Sequence, residues 1–80
     1  MSDHSAVEDV NLPLTPDEAL VLFEWLGNFN KGEHEFDDQA EQRVLWNLEA
    51  MLESELVEPF RPDYPELVAA ARDRVRDSTD

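Results

Sequence analysis

One histidine lies among acidic residues whose side chains could bind a divalent cation or transfer protons. In the stretch GEHEFDD, His34 is surrounded by Glu33, Glu35, Asp37 and Asp38. A metal site needs three or four ligands that converge on one point, and neighbours in a loop do not converge automatically. The only other histidine, His4, lies in the predicted N-terminal tail. We therefore predict a solvated acidic loop here and no metal site.

Residues for other kinds of chemistry are scarce. The chain has no cysteine, and its two glycines, Gly27 and Gly32, cannot form a phosphate-binding loop. Nucleophilic catalysis needs a nucleophile beside a base. The four serines lie in the predicted tails or on a predicted helix: Ser2, Ser5, Ser54 and Ser78. The inventory predicts a non-enzymatic protein without a cofactor or a bound metal.

Acidic residues dominate the charge of the chain. Aspartate and glutamate number 20 against six lysines and arginines, which gives a formal net charge of −14. Such a surface repels nucleic acid and anionic lipid, and it attracts basic proteins. Three explanations stay open: ordinary solubility, a basic protein partner, and a host adapted to high salt. We expect no direct binding to nucleic acid or to a membrane.

The acidic residues are concentrated in the middle of the chain. Between positions 33 and 58, Arg43 is the only basic residue. Nine acids occupy this range: Glu33, Glu35, Asp37, Asp38, Glu41, Glu49, Glu53, Glu55 and Glu58. Glu49 and Glu53 are four residues apart on a predicted helix, where like charges cost roughly a few tenths of a kcal/mol. The concentration indicates either a solvated face or a docking surface for a basic partner.

Size and composition predict one small intracellular domain. A chain of 80 residues buries a modest core, and without cysteine no disulfide can reinforce it. With 41% hydrophobic residues, the chain is too apolar to be an acidic disordered tail. The N-terminal residues lack the basic and apolar regions of a signal peptide, and no run of 18 apolar residues occurs. We expect a cytoplasmic location.

The first predicted helix has a strong start signal and apolar residues on most of its surface. Thr15 and Glu18 have the spacing of a capping box, and Pro16 suits the first helical position. The pattern predicts a helix over 16–29. Its apolar residues surround the helix instead of forming one stripe, which indicates partners on more than one side. The preceding segment VNLPLT is expected to be extended, with Leu12 and Leu14 tucked into a groove.

This first helical run resembles sequences of small bacterial proteins. The resemblance covers LTPDEALVLFEWL, from Leu14 to Leu26. It implies a bacterial origin, and it implies no particular activity.

The second predicted helix covers 38–57 and also has two apolar faces. Asp38 and Glu41 repeat the capping-box spacing. The core face is predicted to comprise Leu45, Leu48, Leu52 and Leu56, widened by Val44 and Met51. A second, weaker stripe is made by Trp46, Ala50 and Val57.

A third helix is predicted over 64–76, after a proline-rich connection in which Phe60 and Tyr64 contact the bundle. Asp63 and Glu66 give a third capping-box spacing. The sequence therefore predicts an all-α fold, a compact three-helix bundle with an extended N-terminal arm. Residues 10–76 are predicted to form the domain, with a disordered tail at 1–9 and a fraying C-terminus at 77–80.

The surplus apolar faces and the net charge together predict a protein-binding module. It would act as a homodimer or as an inhibitor or adaptor of a basic protein. The candidate interaction residues are Trp25, Phe29, Phe36, Trp46, Glu49 and Glu53. Two other functions are alternatives: a DNA mimic that inhibits a nucleic-acid-binding protein, and a small metal-dependent enzyme.

Overall fold

Three α-helices make up the fold. The computed structural model describes residues 9–77, in which α1 covers Pro16–Lys31, α2 covers Gln39–Glu55 and α3 covers Tyr64–Arg76. One turn of 3-10 helix, Glu58–Phe60, interrupts the connection between α2 and α3. No strand occurs in the described range. The predicted all-α class and three-helix bundle are confirmed.

The predicted capping box begins α1. The Thr15 Oγ1 atom accepts a hydrogen bond of 3.1 Å from the Glu18 backbone N–H, and Glu18 Oε1 accepts one of 2.9 Å from the Thr15 N–H. Pro16 is the first helical residue, where its missing N–H leaves no donor unpaired. The helix continues to Lys31, two residues beyond the predicted end at Phe29.

At the start of α2 the carboxylates of Asp38 and Glu41 both take partners other than those of the predicted capping box. Asp38 is the N-cap, and its Oδ1 accepts a 2.7 Å hydrogen bond from the Ala40 N–H. The Glu41 carboxylate does not return to Asp38 but accepts a 3.2 Å hydrogen bond from the Asp37 N–H. The helix ends at Glu55, two residues before the predicted Val57.

The capping box predicted for α3 is wrong. Asp63 precedes the helix, but its side chain makes no capping hydrogen bond. Its backbone, at φ −96° and ψ 23°, lies outside the extended region that an N-cap side chain needs. The Asp63 carboxylate instead accepts two hydrogen bonds from Arg61, at 3.0 and 3.2 Å.

The helix α1 is the centre of the bundle. It packs against α3 and against α2, whereas α2 and α3 scarcely contact each other. The buried core is formed by residues from all three helices and by the residue that follows α2: Leu20, Leu26, Leu52, Leu56, Val68 and Ala71. The apolar residues that surround α1 therefore pack against neighbouring helices on two sides, as its sequence indicates.

Two contacts fasten α3 to α1 in an antiparallel direction. At the start of α3, the Tyr64 hydroxyl donates a 2.7 Å hydrogen bond to Glu24 Oε1. Near its end, Arg74 donates two hydrogen bonds to the Asp17 carboxylate, at 2.7 and 2.8 Å. These bonds hold the pKa of Asp17 below its ordinary value. The Asp17–Arg74 pair is exposed to water, so it specifies the alignment of the helices more than it stabilises them.

The core face of α2 is narrower than predicted. Leu52 and Leu56 are buried, and Leu45 and Leu48 pack against the core while partly exposed. The prediction that Val44 and Met51 widen this face is wrong, since their exposed fractions are 61% and 59%. The cause is the position of α3, which packs on α1 and leaves that flank of α2 without a neighbouring helix.

Three further side chains are less buried than predicted. Phe60 is 74% exposed, whereas Tyr64 is half-buried and bonded to Glu24 of α1. Leu12 is also exposed and Leu14 is partly so, although both line a shallow cavity beside α2. The arm thus lies along the bundle with its side chains largely exposed.

The predicted tails, 1–9 and 77–80, lie outside the described residues except for Asp9 and Asp77. Within residues 9–77, no helix combines the length and the apolar composition that a membrane span requires.

Replacing Leu26 by alanine tests the central position of α1. Leu26 is buried, so Leu26→Ala should lower the free energy of unfolding by about 3 kcal/mol. Urea unfolding followed by circular dichroism measures this loss. Val57→Ala is the matched control, because this valine is 70% exposed and its truncation should change stability by less than about 0.5 kcal/mol. Equal losses in the two variants would contradict the observed core.

The only tyrosine of the chain reports directly on the contact between α3 and α1. Burial, followed by the hydrogen bond to Glu24, raises the pKa of the Tyr64 phenol above its ordinary value of 10.0. We expect the phenolate absorbance of the folded protein to stay low at pH 10 and to appear only at higher pH. The stability from this group is complete below pH 10 and is lost as pH rises through the folded pKa.

Glu24→Gln is the control for the Tyr64 titration. It should lower the ionisation midpoint partway, because the carboxylate charge is removed while the burial of the ring stays. A midpoint at pH 10 in the folded wild-type protein would show that the contact is not made.

Candidate functional site

Four side chains at the end of α1 and in the following loop form a stack of rings, here called the aromatic cluster: Trp25, Phe29, His34 and Phe36. The Trp25 and Phe29 ring centroids are 4.9 Å apart, with 14° between the ring planes. The His34 ring lies parallel to Phe29, at 3.8 Å and 2°. Phe36 meets Phe29 edge-on at 6.3 Å. Phe29 is therefore the ring that connects the other three.

The geometry of α1 and of the loop explains this arrangement. Trp25 and Phe29 are four residues apart, so they lie on the same face of the helix. After Lys31 the chain reverses, and the Phe29 carbonyl accepts hydrogen bonds from the Gly32 N–H at 3.2 Å and from His34 Nε2 at 2.9 Å. A carbonyl can only accept, so the proton of the imidazole lies on Nε2. Both bonds return the loop to the last turn of α1.

Gly32 provides the space for His34. A Cβ atom at position 32 would lie 3.0 Å from His34 Nε2, closer than ordinary van der Waals contact. The backbone of Gly32 has φ −86°, so the requirement is for space and not for a left-handed conformation. The predicted solvated acidic loop therefore contains an ordered turn. Glu33, Glu35 and Asp37 are exposed, but the His34 ring has a specific partner.

The structure places both tryptophans at the surface. Trp25 is 53% exposed and Trp46 is 47% exposed, so neither belongs to the core. Phe29 and Phe36 are half-buried. Trp46 lies on α2, on the same side as Ala50, which is also exposed. Val57, which was predicted to continue this stripe, lies beyond the end of the helix. The structure thus brings Trp25, Phe29 and Phe36 together.

Trp46 and Glu53 lie on a different side of the molecule from Phe36. Phe36 lines a surface cavity together with Val44 and other residues of α2. Val44, which lines that cavity, and Trp46 are two residues apart, so they differ by about 160° around the helix. Glu53 follows Trp46 by seven residues, which returns it to the same face. These two candidates form a separate surface.

Glu49 takes part in packing within the chain. Its Oε1 atom accepts a 2.7 Å hydrogen bond from Asn30 Nδ2, and this contact is partly buried. Its Oε2 atom lies 3.5 Å from where a Cβ atom would be at Gly27. This separation is ordinary van der Waals contact, so the hydrogen bond to Asn30 is what joins Glu49 of α2 to α1. Glu53, in contrast, is exposed.

The aromatic cluster continues into an open apolar cavity of about 470 Å³. Phe36 belongs to both, and the other lining residues come from the first turns of α2: Ala40, Glu41, Val44 and Leu45. The surface that begins at Trp25 on α1 thus extends without interruption to α2. Sequence reasoning identified the aromatic residues but missed this cavity, because Val44 was expected to be buried.

Exposed ring faces in acidic surroundings can contact apolar and cationic side chains. Tryptophan and phenylalanine rings bind apolar side chains by packing and bind lysine or arginine through their electron-rich faces. Within residues 9–77, no three histidine, aspartate or glutamate side chains are grouped so that they could hold a metal ion.

No match was found when the chain was compared with protein-family models, with curated proteins and with solved structures.

The parallel stacking of His34 on Phe29 is measurable by proton NMR. Ring current from Phe29 should move the His34 ring protons upfield of those of an unstructured histidine. Phe29→Leu should remove the shift, and Gly32→Ala should reduce it because the added methyl group displaces the imidazole. Phe60→Leu is the control, as it alters an exposed ring elsewhere. Unshifted His34 resonances in the wild-type protein would rule out the stack.

Proposed function

We propose that this protein is a small acidic, non-enzymatic binding module for a basic protein partner, with the aromatic cluster as its contact centre. One observation carries the proposal: an ordered stack of rings lies at the surface, led by a tryptophan that is 53% exposed. A large aromatic side chain exposed in this way is costly in water unless a partner covers it.

The cluster has the properties of an interface anchor. Tryptophan is among the residues that most often dominate binding energy. Trp25 is stacked on Phe29, and Phe29 is held between His34 and Phe36. Because these rings are already ordered in the free chain, a partner would not have to immobilise them, and less entropy would be lost on binding.

The charge of the surrounding surface selects the partner. The net charge of −14 attracts cationic proteins over distances of about a Debye length, near 8 Å at physiological salt. The loop of the cluster adds the exposed carboxylates of Glu33, Glu35 and Asp37. Three of the six basic residues lie at the other end of the chain, on α3. We infer that lysine and arginine side chains of the partner lie beside the loop.

A homodimer is the second candidate, favoured by the exposed apolar residues on both flanks of α2. Val44 and Met51 lie on one flank, and Trp46 and Ala50 lie on the other. Two copies with a charge of −14 each would repel one another, so added salt should strengthen a homodimer. Salt should weaken a complex with a basic protein. The sign of the salt dependence therefore separates the two candidates.

The DNA-mimic alternative requires a row of free carboxylates at phosphate spacing. Several acids instead make hydrogen bonds within the chain: Asp17 with Arg74, Glu24 with Tyr64, Glu41 with the Asp37 backbone, Glu49 with Asn30 and Asp63 with Arg61. This use of carboxylates inside the fold supports protein binding over mimicry of DNA.

The proposal is tested by affinity capture from the native host at low salt, with wild-type protein and two variants as baits. Trp25→Ala should lose the captured protein, because truncating an anchor residue weakens binding by about thirtyfold. Phe60→Ala removes another exposed ring that lies outside the cluster and should retain the protein. Quantitative mass spectrometry of the three eluates measures the difference.

Two controls complete the capture experiment. Circular dichroism must show equal helicity in all three baits, and raised salt must release the captured protein. Capture that is identical for the Trp25→Ala and Phe60→Ala baits would refute a role for the aromatic cluster.

A further inference from the structure

One flank of α2 faces two open cavities that follow each other along the helix. The first is the cavity of about 470 Å³ beside Phe36. The second, of about 290 Å³, lies between the N-terminal arm and the later turns of α2. We call this flank the α2 groove. Its α2 residues are Glu41, Val44 and Leu45 in the first cavity and Leu48, Met51 and Leu52 in the second.

The lining residues repeat every seven positions. Glu41, Val44 and Leu45 are followed by Leu48, Met51 and Leu52, each seven residues further along α2. Seven residues are two helical turns and about 10.5 Å along the axis, so both cavities lie on the same side of α2. A second α-helix laid along the groove would place its own residues i and i+7 at the same separation.

The groove retains apolar surface that nothing in residues 9–77 covers. Val44 and Met51 are more than half exposed, one in each cavity. Val10 and Leu12 form the opposite wall of the second cavity and are also largely exposed. An occupant would therefore bury apolar side chains on both walls, which is the geometry of a helix bound in a groove.

Acidic residues determine the charge of the occupant. Glu41 lines the first cavity and Glu55 lines the second, so a carboxylate borders each end of the groove. Arg43, the only basic residue between positions 33 and 58, lies roughly 100° around the helix from Val44, away from the groove side. A second copy would bring like charges together, whereas lysine and arginine would complement these acids.

We infer that the α2 groove binds a basic amphipathic α-helix of a partner protein. The apolar residues of that helix, at i, i+3 or i+4, and i+7, fill the two cavities, and its cationic residues pair with Glu41 and Glu55. The inference rests on the proposed function and adds to it a second contact site and the secondary structure of the partner.

A synthetic peptide tests the inference on the full chain. The probe has about 18 residues, or five helical turns, with leucine at i, i+3, i+7 and i+10 and lysine or arginine at most other positions. The comparison peptide has the same composition, with its leucines distributed around the helix. Fluorescence anisotropy of labelled peptide measures both affinities. The amphipathic peptide should bind at least about tenfold more tightly, because only it presents one apolar ridge.

Exposed apolar residues inside and outside the groove provide matched variants. Val44→Ser and Met51→Ser should each weaken binding of the amphipathic peptide by about tenfold, since each removes apolar area from one cavity. Val57→Ser makes the same kind of change outside the groove and should leave the affinity unchanged. All three residues are exposed, so the variants should keep the wild-type helicity.

Three results would overturn the inference. The first is equal affinity for the two peptides, or no binding of either to the wild-type protein. The second is a loss caused by Trp25→Ala but not by Val44→Ser or Met51→Ser, which would leave the proposed function standing and reject the groove. The third is a wild-type dimer in sedimentation equilibrium that Val44→Ser dissociates, which would make a second copy the occupant.

The proposed function fails separately from the groove. It fails if the capture experiment shows no dependence on Trp25, whatever the peptide affinities are. The two sites share Phe36, so neither set of variants alters that residue.

Discussion

The packing of both other helices on α1 is the constraint on which the rest of the structure depends. Leu20 and Leu26 are buried because α3 covers one side of α1 and α2 covers another. The two outer helices scarcely meet, so neither helps to bury the other. In a chain of 80 residues that distributes its core in this way, each outer helix is buried along only one stripe.

The exposed flanks of α2 follow directly from that arrangement. One stripe, ending in Leu52 and Leu56, is enough to hold α2 against α1. The remaining apolar residues then face water on both sides of the helix. An uncharged protein with so much apolar surface would tend to associate nonspecifically, and the net charge of −14 opposes this by mutual repulsion. The same net charge attracts cationic surfaces.

The loop after α1 combines apolar order with polar exposure over a few residues. The Phe29 carbonyl, at the last turn of the helix, accepts hydrogen bonds from Gly32 and His34 and so fixes the chain reversal. The imidazole then stacks on the Phe29 ring, while the neighbouring carboxylates remain exposed to water. An aromatic surface is thereby presented beside negative charge by a short segment without regular secondary structure.

The sequence alone determined the features that depend on neighbours a few residues apart. Thr15 and Glu18 are three apart and form the predicted capping box, and helical periodicity correctly indicated three helices and the leucine stripe of α2. Candidate aromatic residues could also be named, because the sequence has more large apolar side chains than one buried face of each helix can hold. These features are local, so the geometry of a helix is sufficient to predict them.

Only the tertiary structure decided which apolar faces are covered and which polar groups meet. Tyr64 and Glu24 are 40 positions apart and Arg74 and Asp17 are 57 apart, and no pattern in the sequence selects these partners among 20 acids. Val44 and Met51 have the periodicity of core residues but are exposed, since α3 packs on α1 instead of on α2. Helical periodicity specifies the direction of a side chain from its own helix, whereas burial depends on where the other helices pack.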